Sequence, residues 1–191
     1  MIIGIMGKSG SGKSTITNLL NEKGNYLLID VDKVNHELIE NTSLKQDIII
    51  RYPETLEKGK INRQKLGMIL YQDKKKMDEY NKLVWLYLEK KLDEMIKNTT
   101  KIVILDWMML PLTKYYNMCD IKILVESSLE IRLERIKKRD KVDEIHFFER
   151  DKNSVDYKIE DFDFVINNDK GIDKNEIENI GKRIALCKRK K

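Results

Sequence analysis

The chain has 191 residues, of which 41% are apolar and 36% charged, and its 37 basic and 32 acidic side chains give a net charge of +5. The length predicts one domain with an insertion, or two small domains. Only 2 prolines and 9 glycines exclude collagen-like and Pro/Gly-rich low-complexity chains. No stretch approaches the roughly 18 apolar residues of a membrane span, so no membrane association is expected.

The first residues and the cysteines are typical of a cytoplasmic protein. The apolar run Met1–Met6 lacks a preceding basic region and a small-residue cleavage site, so a secretory signal is not predicted. Cys119 and Cys187 lie far apart in the chain, and we expect both to be reduced. His36 and His146 are isolated, which argues against a zinc site or a histidine-containing catalytic triad.

Five apolar runs predict the buried strands of a parallel sheet. None of them alternates with polar residues, which is typical of strands that helices cover on both faces. Helical patterns separate most of these runs, so we predict an α/β fold with three layers, in which helices cover both faces of a parallel sheet. In chain order the predicted strands are Met1–Met6, Tyr26–Ile29, Ile102–Leu105, Ile121–Val125 and Phe164–Ile166.

Residues 33–100 interrupt the alternation of strands and helices. They contain three or more helical segments, with Pro53 and Gly59 as breakers, and no convincing strand. Ser43 and Asn62 mark the starts of two of these helices. We predict a helical insertion after the second strand.

The remaining residues, 1–32 and 101–191, contain the five predicted strands and are predicted to form the core of the fold. Within it, residues 137–160 are rich in Lys, Arg and Asp and include Phe147 and Phe148. This composition is typical of a mobile lid, and equally of a solvated helix with two core aromatics.

A glycine-rich phosphate-binding motif follows the first predicted strand. Gly7–Ser14 (GKSGSGKS) matches GxxxxGK[ST] between a buried strand and a helix, as the motif requires. Glycines let the backbone curl so that successive N–H groups point at phosphate oxygens, and the following helix adds its positive dipole end. In this pattern Lys13 reaches the β- and γ-phosphates, and the Ser14 hydroxyl can ligate Mg²⁺. The predicted nucleotide-binding residues of the loop are Gly7, Ser9, Gly10, Ser11, Gly12, Lys13, Ser14 and Thr15.

Aspartates end the second and third predicted strands. Asp106 matches the position of a carboxylate that supports Mg²⁺, although an aspartate there can also cap a helix or end a strand. Asp30 and Asp32 reach the same edge of the sheet, where ligands bind in such folds. The Asp32 carboxylate can accept the proton of an attacking hydroxyl or orient it beside Mg²⁺, although aspartate is also ordinary at helix starts.

The motif set narrows the class of protein. No Asn-Lys-x-Asp string occurs, which argues against a guanine-specific GTPase, and the chain is too short for most helicase or transport ATPase cores. The pattern therefore favours a small phosphotransferase with an α/β fold of the P-loop NTPase type, which uses ATP and Mg²⁺ and acts on a small-molecule acceptor. In this interpretation residues 1–32 and 101–191 form the nucleotide-binding core, and the helical insertion at 33–100 binds the acceptor.

Several segments, spread over about residues 1–168, resemble the dephospho-CoA kinase family. Met1–Thr15 resembles its first strand and phosphate loop, and Leu28–Val34 resembles its Ile-Asp-Ala-Asp segment. Ile61–Gly67 resembles a stretch of its acceptor domain, and Arg132–Asp140 resembles the start of its lid. Cys119–Val125 resembles its fourth strand, and Val165–Asn168 resembles its closing strand and nucleotide-contacting turn.

The resemblance implies that ATP phosphorylates the 3′-hydroxyl of the ribose of dephospho-CoA, giving coenzyme A and ADP. It implies that Asp32 is the catalytic acidic residue, Lys13 the phosphate-loop lysine and Arg139 a lid arginine near the ATP phosphates. Arg135 is a further candidate for nucleotide binding from the lid. Judged by their surroundings in the sequence, both arginines are equally typical of exposed positions on a charged helix. The basic excess suits two polyanionic substrates.

The chain departs from the family pattern on the acceptor side and in the lid. Trp85-Leu86 stands where the family usually has His-Pro, the stretch 106–112 lacks a family glutamate, and 147–151 also differs. Two alternatives stay open: a related nucleotide or nucleoside kinase with another acceptor, and a non-catalytic NTP-binding module that contacts RNA. No RNA-binding motif accompanies the charge, so no nucleic-acid partner is expected. The sequence leaves the oligomeric state undefined.

Overall fold

A computed structural model of the protein describes residues 1–22, 24–140, 144–152 and 154–188. The chain divides into two compact units, one formed by Met1–Asp30 with Thr100–Lys191 and the other by Val31–Thr99. Of the segment proposed as a lid, residues 141–143 and 153 lie outside the described residues. No helix in the described ranges has both the length and the apolar character needed to cross a membrane.

Strands and helices alternate in the first unit, whereas the second unit is mostly helical. The strands are β1 (Ile2–Met6), β2 (Tyr26–Asp30), β3 (Leu56–Glu57), β4 (Lys60–Ile61), β5 (Ile102–Asp106), β6 (Ile121–Glu126) and β7 (Phe164–Asn167). The α-helices are α1 (Lys13–Glu22), α2 (Val31–Asn41), α3 (Ser43–Arg51), α4 (Arg63–Tyr71), α5 (Lys74–Lys97), α6 (Lys114–Met118), α7 (Leu129–Asp140), α8 (Glu144–Lys152) and α9 (Lys174–Lys188).

A five-stranded sheet in the order β2-β5-β1-β6-β7 forms the centre of the first unit. Each neighbouring pair in this order is parallel. Every residue of β1 and β5 is buried, because helices cover both faces of the sheet. The predicted α/β fold with five parallel strands is therefore confirmed. Full burial was wrong for the edge strands β2 and β7, which are mostly half-buried because each has a neighbouring strand on one side only.

The central strand β1 shows what lies on each face. Ile3 and Ile5 belong to a buried apolar core that α1 and α9 complete on one side. On the other side, a Cβ atom on Gly4 would lie 2.8 Å from both Cys119 Sγ and Leu110 Cδ2. Glycine at this position therefore allows the layer that contains α6 to approach the strand closely.

The second unit combines α2–α5 with a short antiparallel hairpin formed by β3 and β4. The prediction that residues 33–100 contain no strand was wrong at this point. Lys58 and Gly59 at the turn both have positive φ, 48° and 78°, as two-residue hairpin turns of type I′ require. Each strand has only two residues, which is too short to produce an alternating apolar pattern.

Side-chain caps begin the helices of the second unit. Asn62 accepts a hydrogen bond from the Lys65 N–H, which confirms it as the start of α4. The helix α3 is capped by Thr42, one residue before the predicted Ser43, because the Thr42 hydroxyl accepts from the Leu44 N–H.

Candidate nucleotide-binding site

The loop between β1 and α1 has the curled backbone that its glycines predict. Gly7, Gly10 and Gly12 have φ values of 150°, 81° and 96°, a region that favours glycine. The Ser11 N–H donates to the Lys8 carbonyl at 3.1 Å, which closes one turn of the loop. The loop therefore presents its backbone as an anion-binding concavity at the N-terminus of α1.

We expect Gly12→Ala to abolish nucleotide binding. A Cβ atom there would lie 2.0 Å from Nδ2 of Asn168, which itself donates to the Ser11 carbonyl at 2.8 Å. The positive φ adds about 1–2 kcal/mol of strain for alanine. Thermal unfolding with and without Mg·ATP measures both effects.

The matched control for this prediction is Gly171→Ala. Gly171 also has a positive φ, 95°, but a Cβ atom there would meet nothing within 4 Å. This variant is expected to lose stability through φ strain alone and to keep its nucleotide-dependent rise in melting temperature. Equal behaviour of the two variants would contradict a steric role for Gly12.

The lysine and the hydroxyls of the motif lie where the motif predicts. The Lys13 ammonium donates to the Gly7 carbonyl at 2.9 Å, so the side chain folds back along the loop. Ser14 and Thr15 in the first turn of α1, and Ser9 in the loop, are exposed. These exposed groups are accessible to a ligand at the helix N-terminus.

Asp106 lies at the end of β5, beside β1, and is buried. Thr17 Oγ1 is 3.1 Å from its Oδ2 and 2.9 Å from the Lys13 carbonyl, which connects the carboxylate to α1. A carboxylate and a serine hydroxyl are oxygen ligands of the kind that Mg²⁺ prefers, and Mg²⁺ bound with phosphates needs only one or two protein ligands. The donor set of Asp106 and Ser14 therefore fits this ion.

Arg135 on α7 binds the loop itself. Its Nη1 lies 3.2 Å from the Gly10 carbonyl and 3.3 Å from the Ser11 carbonyl. The same atom lies 3.0 Å from Ser127 Oγ, and Nη2 donates to the Asn168 carbonyl at 2.6 Å. This guanidinium holds the outer side of the loop through protein oxygens, whereas its predicted contact with nucleotide stays a prediction.

Sequence reasoning missed Arg132, which lies three residues before Arg135 and is buried. Its Nη1 and Nη2 reach the two Asp151 oxygens at 2.5 and 3.3 Å, and the guanidinium lies 5.7 Å from the Phe147 ring centre. The Arg132 hydrogen bonds hold the pKa of the Asp151 carboxyl below its usual value. The sequence did contain a signal for the burial of Arg132, namely its spacing from Ile136. Residues 132 and 136 lie on one face of the helix, and Ile136 is buried.

The segment 137–160 contains the last residues of α7 and the whole of α8. Phe147 is buried while Phe148 is exposed, so the expectation of two core aromatics is wrong for Phe148. Arg139, the predicted lid arginine, is exposed in the last turn of α7.

The predicted catalytic carboxylate, Asp32, belongs to the second unit, where it is exposed in the first turn of α2. An acidic residue at this position also interacts favourably with the helix dipole. Asp30 ends β2 in register with Asp106, so these two carboxylates share one edge of the sheet.

A cavity of about 470 Å³ opens beside the loop, lined by Lys8, Ser11, Arg132, Tyr157 and the end of β6. Ser11 Oγ is buried and has no hydrogen-bond partner in the described structure. Buried polar atoms are normally satisfied, so this hydroxyl can bond a water molecule or a polar ligand in the cavity.

These features define the class of protein: a P-loop kinase, with a phosphate loop after the central strand and an aspartate at the end of the adjacent strand. The model of the dephospho-CoA kinase family matches residues 1–174. The chain belongs to this family.

Individual relatives and structures agree with the family assignment. The chain is 34% identical over 147 residues to a dephospho-CoA kinase from Fusobacterium nucleatum, covering 74% of this chain and 75% of the relative. It is 29% identical to one from Oceanobacillus iheyensis, covering 93% and 94%. Among solved structures, a Thermus thermophilus protein has a TM-score of 0.82 at 23% identity, covering 98% and 97% of the two chains. Dephospho-CoA kinase from Campylobacter jejuni has a TM-score of 0.66 at 20% identity, covering 98% of each chain, so both structures share the fold.

Proposed function

We propose that the protein transfers the γ-phosphoryl group of Mg·ATP to the 3′-hydroxyl of the ribose of dephospho-CoA, giving coenzyme A and ADP. The observation that carries the proposal is the curled loop with Lys13 folded along it, in a chain that matches the family over residues 1–174. A cytoplasmic site of action is part of the proposal, and the free thiols of Cys119 and Cys187 suit a reducing compartment.

The roles in phosphate binding follow from the site. The loop N–H groups and the Lys13 ammonium bind the β- and γ-phosphates, whose charge they offset as the bond to the leaving oxygen breaks. Ser14 and Asp106 would hold Mg²⁺, which neutralises phosphate charge when bound. Arg139, exposed near the end of α7, is proposed to contact the same phosphates.

The acceptor chemistry is assigned to Asp32. As the 3′-oxygen forms its bond to the γ-phosphorus, the bond between that phosphorus and the bridging oxygen of ADP breaks. The proton of the 3′-hydroxyl passes to the Asp32 carboxylate, which is exposed at the start of α2. Asp32 therefore acts as general base or as the group that orients the hydroxyl.

A second candidate function is a related kinase with another acceptor. The departure at Trp85-Leu86 favours it, because Leu86 is a large apolar side chain, 70% exposed, in the helical second unit. An apolar exposed residue there is suited to a ligand group other than the one that the usual family residues contact.

An acceptor panel tests the proposal. ADP release with Mg·ATP is measured against dephospho-CoA, AMP, CMP, deoxynucleotides and nucleosides, and mass spectrometry locates the added phosphoryl group. We expect kcat/KM for dephospho-CoA to exceed that for every other acceptor at least about a hundredfold, or about 2.7 kcal/mol of differential transition-state binding.

The control is Lys13→Ala enzyme purified in parallel, which excludes a contaminating kinase. Preference for another acceptor would establish the second candidate. Absence of turnover, together with RNA binding that weakens steeply with salt, would instead establish the binding module.

A further inference from the structure

Tyr157 connects the two loops that follow the neighbouring strands β1 and β5. It lies in the segment between α8 and the short 3-10 helix at 159–161. Its hydroxyl oxygen is 3.2 Å from the Gly7 nitrogen and 2.9 Å from the Met108 carbonyl oxygen. A phenol has one proton, so it accepts from the Gly7 N–H and donates to Met108.

The two partners of Tyr157 belong to the two halves of the nucleotide site. Gly7 opens the phosphate loop at the end of β1, and Met108 follows Asp106 by two residues at the end of β5. The strands are neighbours, since Ile5 pairs with Asp106. One hydroxyl therefore bonds both the phosphate loop and the segment that follows the carboxylate. It adds to the backbone bond by which the Trp107 N–H donates to the Ile5 carbonyl at 3.1 Å.

Gly7 also determines where Lys13 lies. Its carbonyl accepts from the Lys13 ammonium at 2.9 Å, while its N–H is held by Tyr157. The position of Tyr157 is thus transmitted through Gly7 to the ammonium group.

Tyr157 is itself held in place. Its ring packs edge-to-face on Phe162 at 5.9 Å, and Phe162 packs on Tyr116 at 6.4 Å. Burial raises the pKa of the Tyr157 hydroxyl above its ordinary value, so it stays a hydrogen-bond donor at neutral pH. The adjacent Asp156 pairs with Lys8 in the loop at 3.2 Å.

We propose that Tyr157 is a positioning residue, which sets the phosphate loop and Lys13 against the end of β5 for binding of a magnesium–nucleotide complex. The inference rests on the proposed function only in taking ATP as the nucleotide. It assigns Tyr157 no contact with the acceptor.

The test compares Tyr157→Phe with Tyr116→Phe. Tyr116 lies in the same aromatic cluster, and its hydroxyl bonds the Asp161 carbonyl at 3.3 Å instead of the loop. For Tyr157→Phe we expect the Kd for Mg·ADP and the KM for Mg·ATP to rise about tenfold, as loss of two hydrogen bonds predicts. The acceptor KM should stay within about twofold, and Tyr116→Phe should match the wild type.

Direct binding separates this inference from the proposed function. Calorimetry with Mg·ADP needs no acceptor, so it decides the role of Tyr157 even if dephospho-CoA proves not to be the substrate. Equal Mg·ADP affinity of the two variants would overturn the inference. A parallel rise in the acceptor KM of Tyr157→Phe would also overturn it, because general loosening of the fold would then account for the loss.

Discussion

Lys13→Ala is expected to lower kcat by at least about a thousandfold and to raise the KM for Mg·ATP. The ammonium is the charge that the motif delivers to the transferring phosphoryl group, and its bond to the Gly7 carbonyl holds it along the loop before any ligand binds. A group that is already positioned stabilises developing charge without reorganisation, so its loss falls on the chemical step. Single-turnover measurements at saturating Mg·ATP separate this step from binding.

Lys182→Ala is the matched control, because Lys182 is an exposed lysine on α9. It is expected to retain wild-type kinetics. If Lys13→Ala kept kcat within about tenfold of the wild type, the proposed role of this lysine would be wrong.

Asp32→Asn should keep nucleotide affinity and lose about two to four orders of magnitude in turnover. Asparagine preserves the size of the side chain and its place in the first turn of α2, but it cannot take a proton at neutral pH. Because the proposed base acts on the acceptor, Mg·ADP binding measured by calorimetry should match that of the wild type. This pattern is the opposite of the one expected for Tyr157→Phe.

Glu37→Gln provides the control on the same helix, where Glu37 is also exposed. Removal of this carboxylate should leave turnover within about twofold, as expected for surface positions. Near-normal turnover of Asp32→Asn would remove Asp32 from the proton-transfer role and would shift attention to other acidic residues at the sheet edge.

Local patterns were sufficient to predict the sheet and the phosphate loop. Each strand of the five-stranded sheet is a mostly apolar run, and the loop combines glycines with Lys13 in a fixed spacing. Tyr157 was not predictable in this way, because its partners Gly7 and Met108 lie 150 and 49 residues away in the chain. The hairpin β3–β4 was missed for a different reason, since two residues per strand leave no period to detect.

The arginines of α7 show a further limit of sequence reasoning. A guanidinium binds phosphate oxygens and backbone carbonyl oxygens with the same fork of N–H donors. The pattern around Arg135 therefore cannot tell a ligand contact from a contact with the loop, whereas the structure shows the loop contacts directly. The burial of Arg132 depends on Asp151 in the next helix, which no local pattern reveals.

The strand order has a consequence for how the chain folds. The strand β1 is synthesised before the other strands of the sheet and lies at its centre, but its partners begin only at Ile102 and Ile121. The second unit, residues 31–99, is continuous and mostly helical, so its contacts can form while the rest of the chain is still being made. Many contacts of the first unit join residues that are far apart in the chain. This unit can therefore fold only after its later strands have been synthesised. The phosphate loop is synthesised before β5 and β6, the strands that flank β1, and is thus among the last parts of this unit to gain its supporting contacts.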